Sequence, residues 1–178
     1  MFKKDQMVGT LDKRETRGLV WFKDEVKRST LSIQLEGEEG DITMTPTLGN
    51  IKFKPKIKGN QWIMNLDLAI QGDIVQNETH LNLMNEEVLE KMKGKFEKAL
   101  QERVAVTVEK LQQDYKADVI GFGRRFHQKY PKQWKKLKAD WDEKFPEVEV
   151  KIHVDTKIRR PGYIGPPAAL PRDEVKQS

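Results

Sequence analysis

Apolar and polar residues alternate along three stretches in the first half of the chain, at 31–35, 42–57 and 62–70. A period of two is typical of strands with one buried face. Polar turns separate the stretches, and short turns between consecutive strands favour antiparallel pairing. Pro46 and Pro55 interrupt the second stretch. Because proline cannot donate to a ladder, they predict edge positions or bulges in that strand.

The pattern before these strands indicates a short strand in residues 1–8 and then a helix. Asp12 and Glu15 have the spacing of a capping box, in which each side chain bonds the backbone at the other position. The helix they open would carry Leu19, Val20 and either Trp21 or Phe22 toward a core.

The apolar period changes to three or four from Asn85 to Tyr115, which predicts one long amphipathic helix with Asn85 as its cap. A second helix is expected over 117–130. Pro131 suits the first turn of a third helix, which Pro146 ends. The apolar face of the long helix comprises Leu89, Met92, Phe96, Leu100, Val104, Val108, Leu111 and Tyr115.

A strand with strict alternation follows at 148–158, and from residue 161 Pro and Gly cluster without apolar periodicity. The order of elements predicts the α+β class: an antiparallel β-sheet packed against a long helix and two further C-terminal helices, closing with a C-terminal strand. Residues 1–160 are expected to form a single domain, and residues 161–178 a flexible tail.

Composition limits the chemistry more than it limits the fold. The chain carries 33 Lys and Arg against 28 Asp and Glu, a formal charge of +5, with both signs mixed along most of its length. This balance permits an anionic partner, but it lacks the one-sided excess of a nucleic-acid binder, so no nucleic acid is expected. The absence of Cys excludes disulfides and thiolate chemistry. No apolar run approaches a spanning helix, and a soluble chain is expected.

The residues that usually carry catalysis or metals show no useful spacing. His80, His127 and His153 are the only histidines, and no two lie at a metal-ligand interval. The few serines are not in a nucleophile elbow. Gly121 and Gly123 recur at an interval found in dinucleotide-binding loops, but the third glycine is missing, which favours a structural role in close packing. The sequence predicts no enzyme, no metal and no cofactor.

A basic cluster interleaved with aromatic residues is the candidate site. Two interpretations stay open for it. The cations can form a surface for an anionic partner, whether a protein, a lipid surface or nucleic acid. Alternatively, Phe126, Tyr130 and Trp134 face the core while the cations remain solvated. The candidate partner-interface residues are Arg124, Arg125, Lys129, Lys132, Lys135 and Lys136, and Lys138 continues the cluster.

Several segments also resemble a known family. Residues 2–11 (FKKDQMVGTL), running into 15–21 (ETRGLVW), resemble the start of the C-terminal domain of spore germination C subunits, the Ger(x)C family. Residues 115–123 (YKADVIGFG) resemble the same family, as do the strand at 148–158 and the segment 159–162 (RRPG). Further matching positions are Tyr130-Pro131, Trp134, Trp141 and Phe145-Pro146.

The resemblance, which covers nearly the whole chain, implies a non-enzymatic role. Members of this family are lipoproteins at the outer face of the inner spore membrane. They assemble with two membrane subunits, A and B, into germinant receptors that respond to nutrients. Full-length members begin with a signal peptide, a lipid-modified Cys and further domains, so this chain resembles the last domain, and a lipid anchor would lie outside it. The alternatives are a nutrient-binding module and an anionic-surface binder that uses the basic helices. The family has no catalytic residues to transfer, and Gly18, Gly121 and Gly123 are expected to serve the fold.

Overall fold

The computed structural model describes residues 2–3, 6–7, 18–22 and 29–160. The predicted capping box and the predicted tail at 161–178 lie outside these residues.

Near the start of the chain there are two short paired strands instead of the single predicted strand. β1 (Phe2–Lys3) pairs antiparallel with β2 (Gln6–Met7). A 3-10 turn follows at Val20–Phe22, and its Trp21 is buried. Of the residues predicted to face the core here, Trp21 is buried, whereas Leu19 and Val20 are half-buried.

The main sheet has four strands in the order β3-β4-β5-β6 and is mixed in direction. Its strands are β3 (Leu31–Ile33), β4 (Ile42–Lys58), β5 (Gln61–Asn77) and β6 (Glu149–Arg160). β3 pairs antiparallel with the first residues of β4, as predicted from the short connection. Only the two residues Gly59 and Asn60 separate β4 from β5, and Gly59 has a φ of 57°, which favours glycine.

β4 changes the parity of its buried positions along its length. Ile42, Met44 and Pro46 are buried at even positions, whereas further along the strand Pro55 is buried at an odd position and Phe53 is half-buried. A switch of this kind is typical of a strand with one extra residue, because successive side chains of a strand point to opposite faces. The sequence predicted edge positions or bulges at Pro46 and Pro55, and the change of parity lies between these two residues.

The helices follow the predicted order. α1 (Glu86–Gln113) is the long amphipathic helix. The side-chain carbonyl of Asn85 accepts hydrogen bonds from the backbone N–H of Glu87 at 2.8 Å and of Val88 at 3.3 Å, so the predicted cap is confirmed. The remaining helices are α2 (Phe122–Lys129), α3 (Pro131–Leu137) and the short α4 (Trp141–Lys144).

α2 begins later than the sequence pattern predicted. Residues 117–121 form a loop instead of its first turn, because Gly121 adopts a φ of 79°, outside the helical region. The third helix begins at Pro131 as expected, but a 3-10 turn at Lys138–Asp140 separates α3 from α4. The continuous helix expected from Pro131 to Pro146 is thus divided.

The chain divides into two compact units. Unit 1 comprises 1–23, 51–68 and 102–153, and unit 2 comprises 24–50, 69–101 and 154–178. The core of unit 1 is rich in aromatic residues, and its most buried members include Met64, Leu66, Val104, Leu111, Phe122, Phe126 and Phe145. The core of unit 2 is mainly aliphatic and includes Leu31, Ile42, Met44, Met92, Phe96 and Leu100.

Ion pairs and charged hydrogen bonds support unit 2 at its surface. Arg159 donates two hydrogen bonds to Asp73, at 3.1 and 3.0 Å. Lys95 donates to Glu36 at 2.6 Å, and this hydrogen bond lowers the pKa of the Glu36 carboxyl. These contacts connect β6 to β5, and α1 to the loop after β3.

Candidate partner-binding surface

The loop before α2 is organised by one carboxylate. Asp118 accepts hydrogen bonds from the backbone N–H of Phe122 at 2.8 Å and of Gly123 at 2.6 Å. The same side chain accepts a hydrogen bond from the Trp141 indole at 3.1 Å. Asp118 therefore satisfies unpaired donors at the start of α2 and also fixes α4 to that start. An acidic residue before a helix is a recognised capping signal, but nothing in the sequence indicated the bond to Trp141.

Gly18 and Gly123 serve the fold, as predicted. A Cβ at Gly123 would lie 2.7 Å from Trp134 and 2.8 Å from Trp141, so a larger residue has no room there. A Cβ at Gly18 would lie 1.8 Å from the Thr107 hydroxyl. Both positions require glycine for close packing.

Aromatic rings connect α2, α3 and α4 into a rigid base. Phe126 and Trp141 are buried, with ring centroids 5.9 Å apart. Trp134 lies 5.0 Å from Trp141 and is half-buried, and the exposed His127 stacks on Trp134 at 5.8 Å. The interpretation in which aromatic residues face the core is confirmed for Phe126, while Tyr130 and Trp134 remain partly accessible.

Two of the six candidate cations have structural contacts with β4. The Arg125 guanidinium lies 4.8 Å from the centre of the Phe53 ring, and its Nε is buried without a hydrogen-bond partner among the described residues. The Lys129 ammonium donates to the Pro55 carbonyl at 3.0 Å and lies 5.6 Å from the Tyr130 ring. Arg125 and Lys129 thus hold α2 against the sheet of unit 1.

The other four candidate cations have no such contact with the described residues, and like Lys129 they are exposed. Arg124 lies on α2, and Lys132, Lys135 and Lys136 lie on α3; all four are exposed. Within the described part of the chain none of them has an ion pair or a hydrogen bond through its side chain. The predicted cluster is therefore divided into two anchoring residues and four residues available to a partner. We call these four residues, with the partly accessible Tyr130 and Trp134, the α2–α3 surface.

A cavity of about 350 Å³ lies beside the start of α2 in unit 1. Its described lining includes Leu19, Phe22, Val119, Ile120, Asp118 and Arg124. The walls combine apolar side chains with the carboxylate of Asp118 and the guanidinium of Arg124, which forms no ion pair with the described residues. Because Phe22 and Val119 are far apart in the chain, the sequence pattern gave no indication of this cavity.

The described residues hold no cluster of three or more His, Asp or Glu side chains suited to a metal ion. None of the helices in the described part of the chain has an apolar stretch long enough to cross a bilayer.

Comparison with known proteins identifies the family. The family model described as "Spore germination B3/ GerAC like, C-terminal" matches residues 1–162. Spore germination protein YndF of Bacillus subtilis (strain 168) is 28% identical over 91% of this chain and 40% of its own length. Spore germination protein KC of the same organism is 27% identical over 85% of this chain and 37% of its own length.

A solved structure agrees with this result. The crystal structure of the GerBC protein superposes with a TM-score of 0.77 and 25% sequence identity, covering 86% of this chain and 48% of that one. The chain thus spans less than half the length of these relatives. The resemblance seen in the sequence is confirmed, and the chain belongs to the family of C-terminal domains of spore germination proteins of the B3 and GerAC type.

Proposed function

We propose that the chain is a non-enzymatic domain of a germinant receptor C subunit, which assembles with the A and B membrane subunits at the outer face of the inner spore membrane. Family membership and the names of the relatives support a role in spore germination. In this proposal a lipid anchor attaches the full-length protein to the membrane.

The main support for this proposal is the α2–α3 surface. Arginine and the partly accessible aromatic residues Tyr130 and Trp134 are the residue types that dominate the binding energy of protein interfaces. The exposed Lys132, Lys135 and Lys136 beside them would add electrostatic steering toward an acidic partner. Because Asp118 and the packed rings below fix α2 and α4, little ordering would be needed on binding.

Co-purification of the receptor subunits tests this proposal. The full-length protein with Lys132→Glu, Lys135→Glu and Lys136→Glu is expected to recover much less of the A and B subunits from spore membranes than the unmodified protein. A matched control reverses three exposed lysines of unit 2, namely Lys91→Glu, Lys98→Glu and Lys157→Glu. Equal recovery with all three proteins, at equal abundance, would show that the α2–α3 surface does not bind these subunits.

The cavity beside α2 supports nutrient binding as a second candidate function. Its volume of about 350 Å³ is in the range of small-molecule sites, and Arg124 could pair with an anionic group of the ligand while Leu19 and Val119 contact an apolar part. Calorimetric titration with amino acids, sugars and nucleosides tests this candidate, with Arg124→Gln as the comparison. Absence of heat with every nutrient would count against it.

A further inference from the structure

Four lysines form a row on one side of β4. Lys52, Lys54, Lys56 and Lys58 occupy alternate positions and are all exposed. Alternate residues of a strand point to the same face, so neighbouring lysines of the row are about 7 Å apart and the whole row is about 20 Å long. We call these four residues the β4 lysine row.

The positive charge of the β4 lysine row is largely uncompensated. Lys54 pairs with Asp67 on β5, whereas Lys52, Lys56 and Lys58 have no ion pair or hydrogen bond through their side chains in the described part of the chain. On β6, Glu149 and Lys151 pair with each other at 3.1 Å. Over 51–68 and 102–153, unit 1 contains 16 Lys and Arg against 10 Asp and Glu, a net charge of +6.

The β4 lysine row and the α2–α3 surface are separate. Phe53 and Pro55, which alternate with the lysines, point toward α2, where they meet Arg125 and Lys129. The lysines therefore point away from α2, on the opposite face of the strand. Because they lie on opposite sides of β4, the two basic surfaces can have different partners.

The residue types of the row indicate what kind of partner it fits. Protein interfaces are depleted in lysine and depend on aromatic and other apolar anchors. The large apolar residues that are exposed in the described chain are Leu48, Val75, Met84, Val106 and Val119; of these, Leu48 lies in β4 but precedes the row. A row of lysines with no large apolar side chain among its members is suited to an extended surface of distributed negative charge.

We propose that the β4 lysine row docks on a bilayer that contains anionic phospholipids, with the lysine ammonium groups contacting phosphate headgroups. Each lysine near such a surface contributes roughly 1 kcal/mol of attraction, which corresponds to about a fivefold change in partitioning. Three uncompensated lysines would therefore contribute about a hundredfold. This contact is distinct from the proposed subunit contact and does not depend on it.

Vesicle co-sedimentation of the 178-residue chain tests the proposal. The chain is expected to bind phosphatidylcholine vesicles that contain phosphatidylglycerol, not to bind pure phosphatidylcholine, and to lose binding as salt is raised. The variant Lys52→Gln, Lys56→Gln and Lys58→Gln should lower partitioning about a hundredfold. The control Lys132→Gln, Lys135→Gln and Lys136→Gln removes the same charge from α3 and should keep most of the binding. Circular dichroism would verify that both variants are folded.

Three results would overturn the proposal. One is that the chain does not bind the anionic vesicles, and another is that both variants lose binding equally, which would reflect net charge alone. The third is that the lysine-row variant binds the anionic vesicles as well as the unmodified chain does, which would mean that the row does not contact the lipid. Co-purification with the A and B subunits is measured separately, so failure of the subunit proposal does not affect this result.

Discussion

Asp118 stabilises α2 from outside the helix, because it accepts from two backbone N–H groups at the helix start and from the Trp141 indole. The two hydrogen bonds to the backbone are local, and a sequence can indicate them. The hydrogen bond from the Trp141 indole depends on a residue that is 23 positions away in the chain. The six candidate cations illustrate the same limit: Lys129 bonds Pro55 across 74 residues, so its anchoring role could not be distinguished from that of Lys132 in the sequence.

Removal of the Asp118 carboxylate is expected to destabilise unit 1. Asp118→Ala should lower the free energy of unfolding by about 2 kcal/mol, because hydrogen bonds to a charged acceptor contribute more than neutral ones. Asp118→Asn retains one acceptor oxygen and should lose about half as much. Urea denaturation followed by tryptophan fluorescence measures both changes. The control is Asp140→Ala, at an exposed position, which should change the free energy of unfolding by less than about 0.5 kcal/mol. If Asp118→Ala has no larger effect than this control, Asp118 does not stabilise the start of α2.

α1 and the sheet were the most predictable elements, because their periodicity extends over many residues. Six of the eight residues assigned to the apolar face of α1 are buried, and Asn85 caps the helix as expected. The predicted start of α2 was wrong. The apolar periodicity continues through residues 117–121, but Gly121 adopts a left-handed backbone conformation that a helix cannot contain. Apolar spacing reports which face is buried but not where a backbone leaves the helical region.

Two glycines in helices should respond in opposite directions to the same substitution. Gly123→Ala in α2 should lower stability by about 1 to 3 kcal/mol, because the new Cβ would overlap Trp134 and Trp141. Gly94→Ala in α1 should raise stability by up to about 1 kcal/mol, since its Cβ would meet nothing within 4 Å and alanine favours the helix.

Thermal unfolding followed by circular dichroism measures both glycine variants. For a chain of this size, 1 kcal/mol corresponds to a shift in Tm of about 2 to 4 °C. An unchanged Tm for Gly123→Ala would mean that the tryptophans can move apart without cost, and the rigid base assumed for the α2–α3 surface would then be wrong.

The charge of the whole chain conceals a difference between its units. The described residues of unit 1 at 51–68 and 102–153 have a net charge of +6. Those of unit 2 at 29–50, 69–101 and 154–159 contain 6 Lys and Arg against 11 Asp and Glu, a net charge of −5. Positive and negative residues are therefore mixed along the sequence, but each unit has an excess of one sign. Both proposed contacts, with receptor subunits and with anionic lipid, use unit 1.

Unfolding of the two units is expected to be one cooperative transition. β4, β5, α1 and β6 each contribute residues to both units, so neither unit can lose these elements without breaking a strand or helix that also belongs to the other. The chain offers a direct test, because its four tryptophans, Trp21, Trp62, Trp134 and Trp141, all belong to unit 1. Tryptophan fluorescence therefore reports on unit 1, while far-ultraviolet circular dichroism reports on the helices and strands of both units. The two urea transitions should coincide in midpoint and slope, as for two-state unfolding. A fluorescence transition at lower urea than the dichroism transition would show that unit 1 unfolds by itself, and the shared elements would then not couple the units.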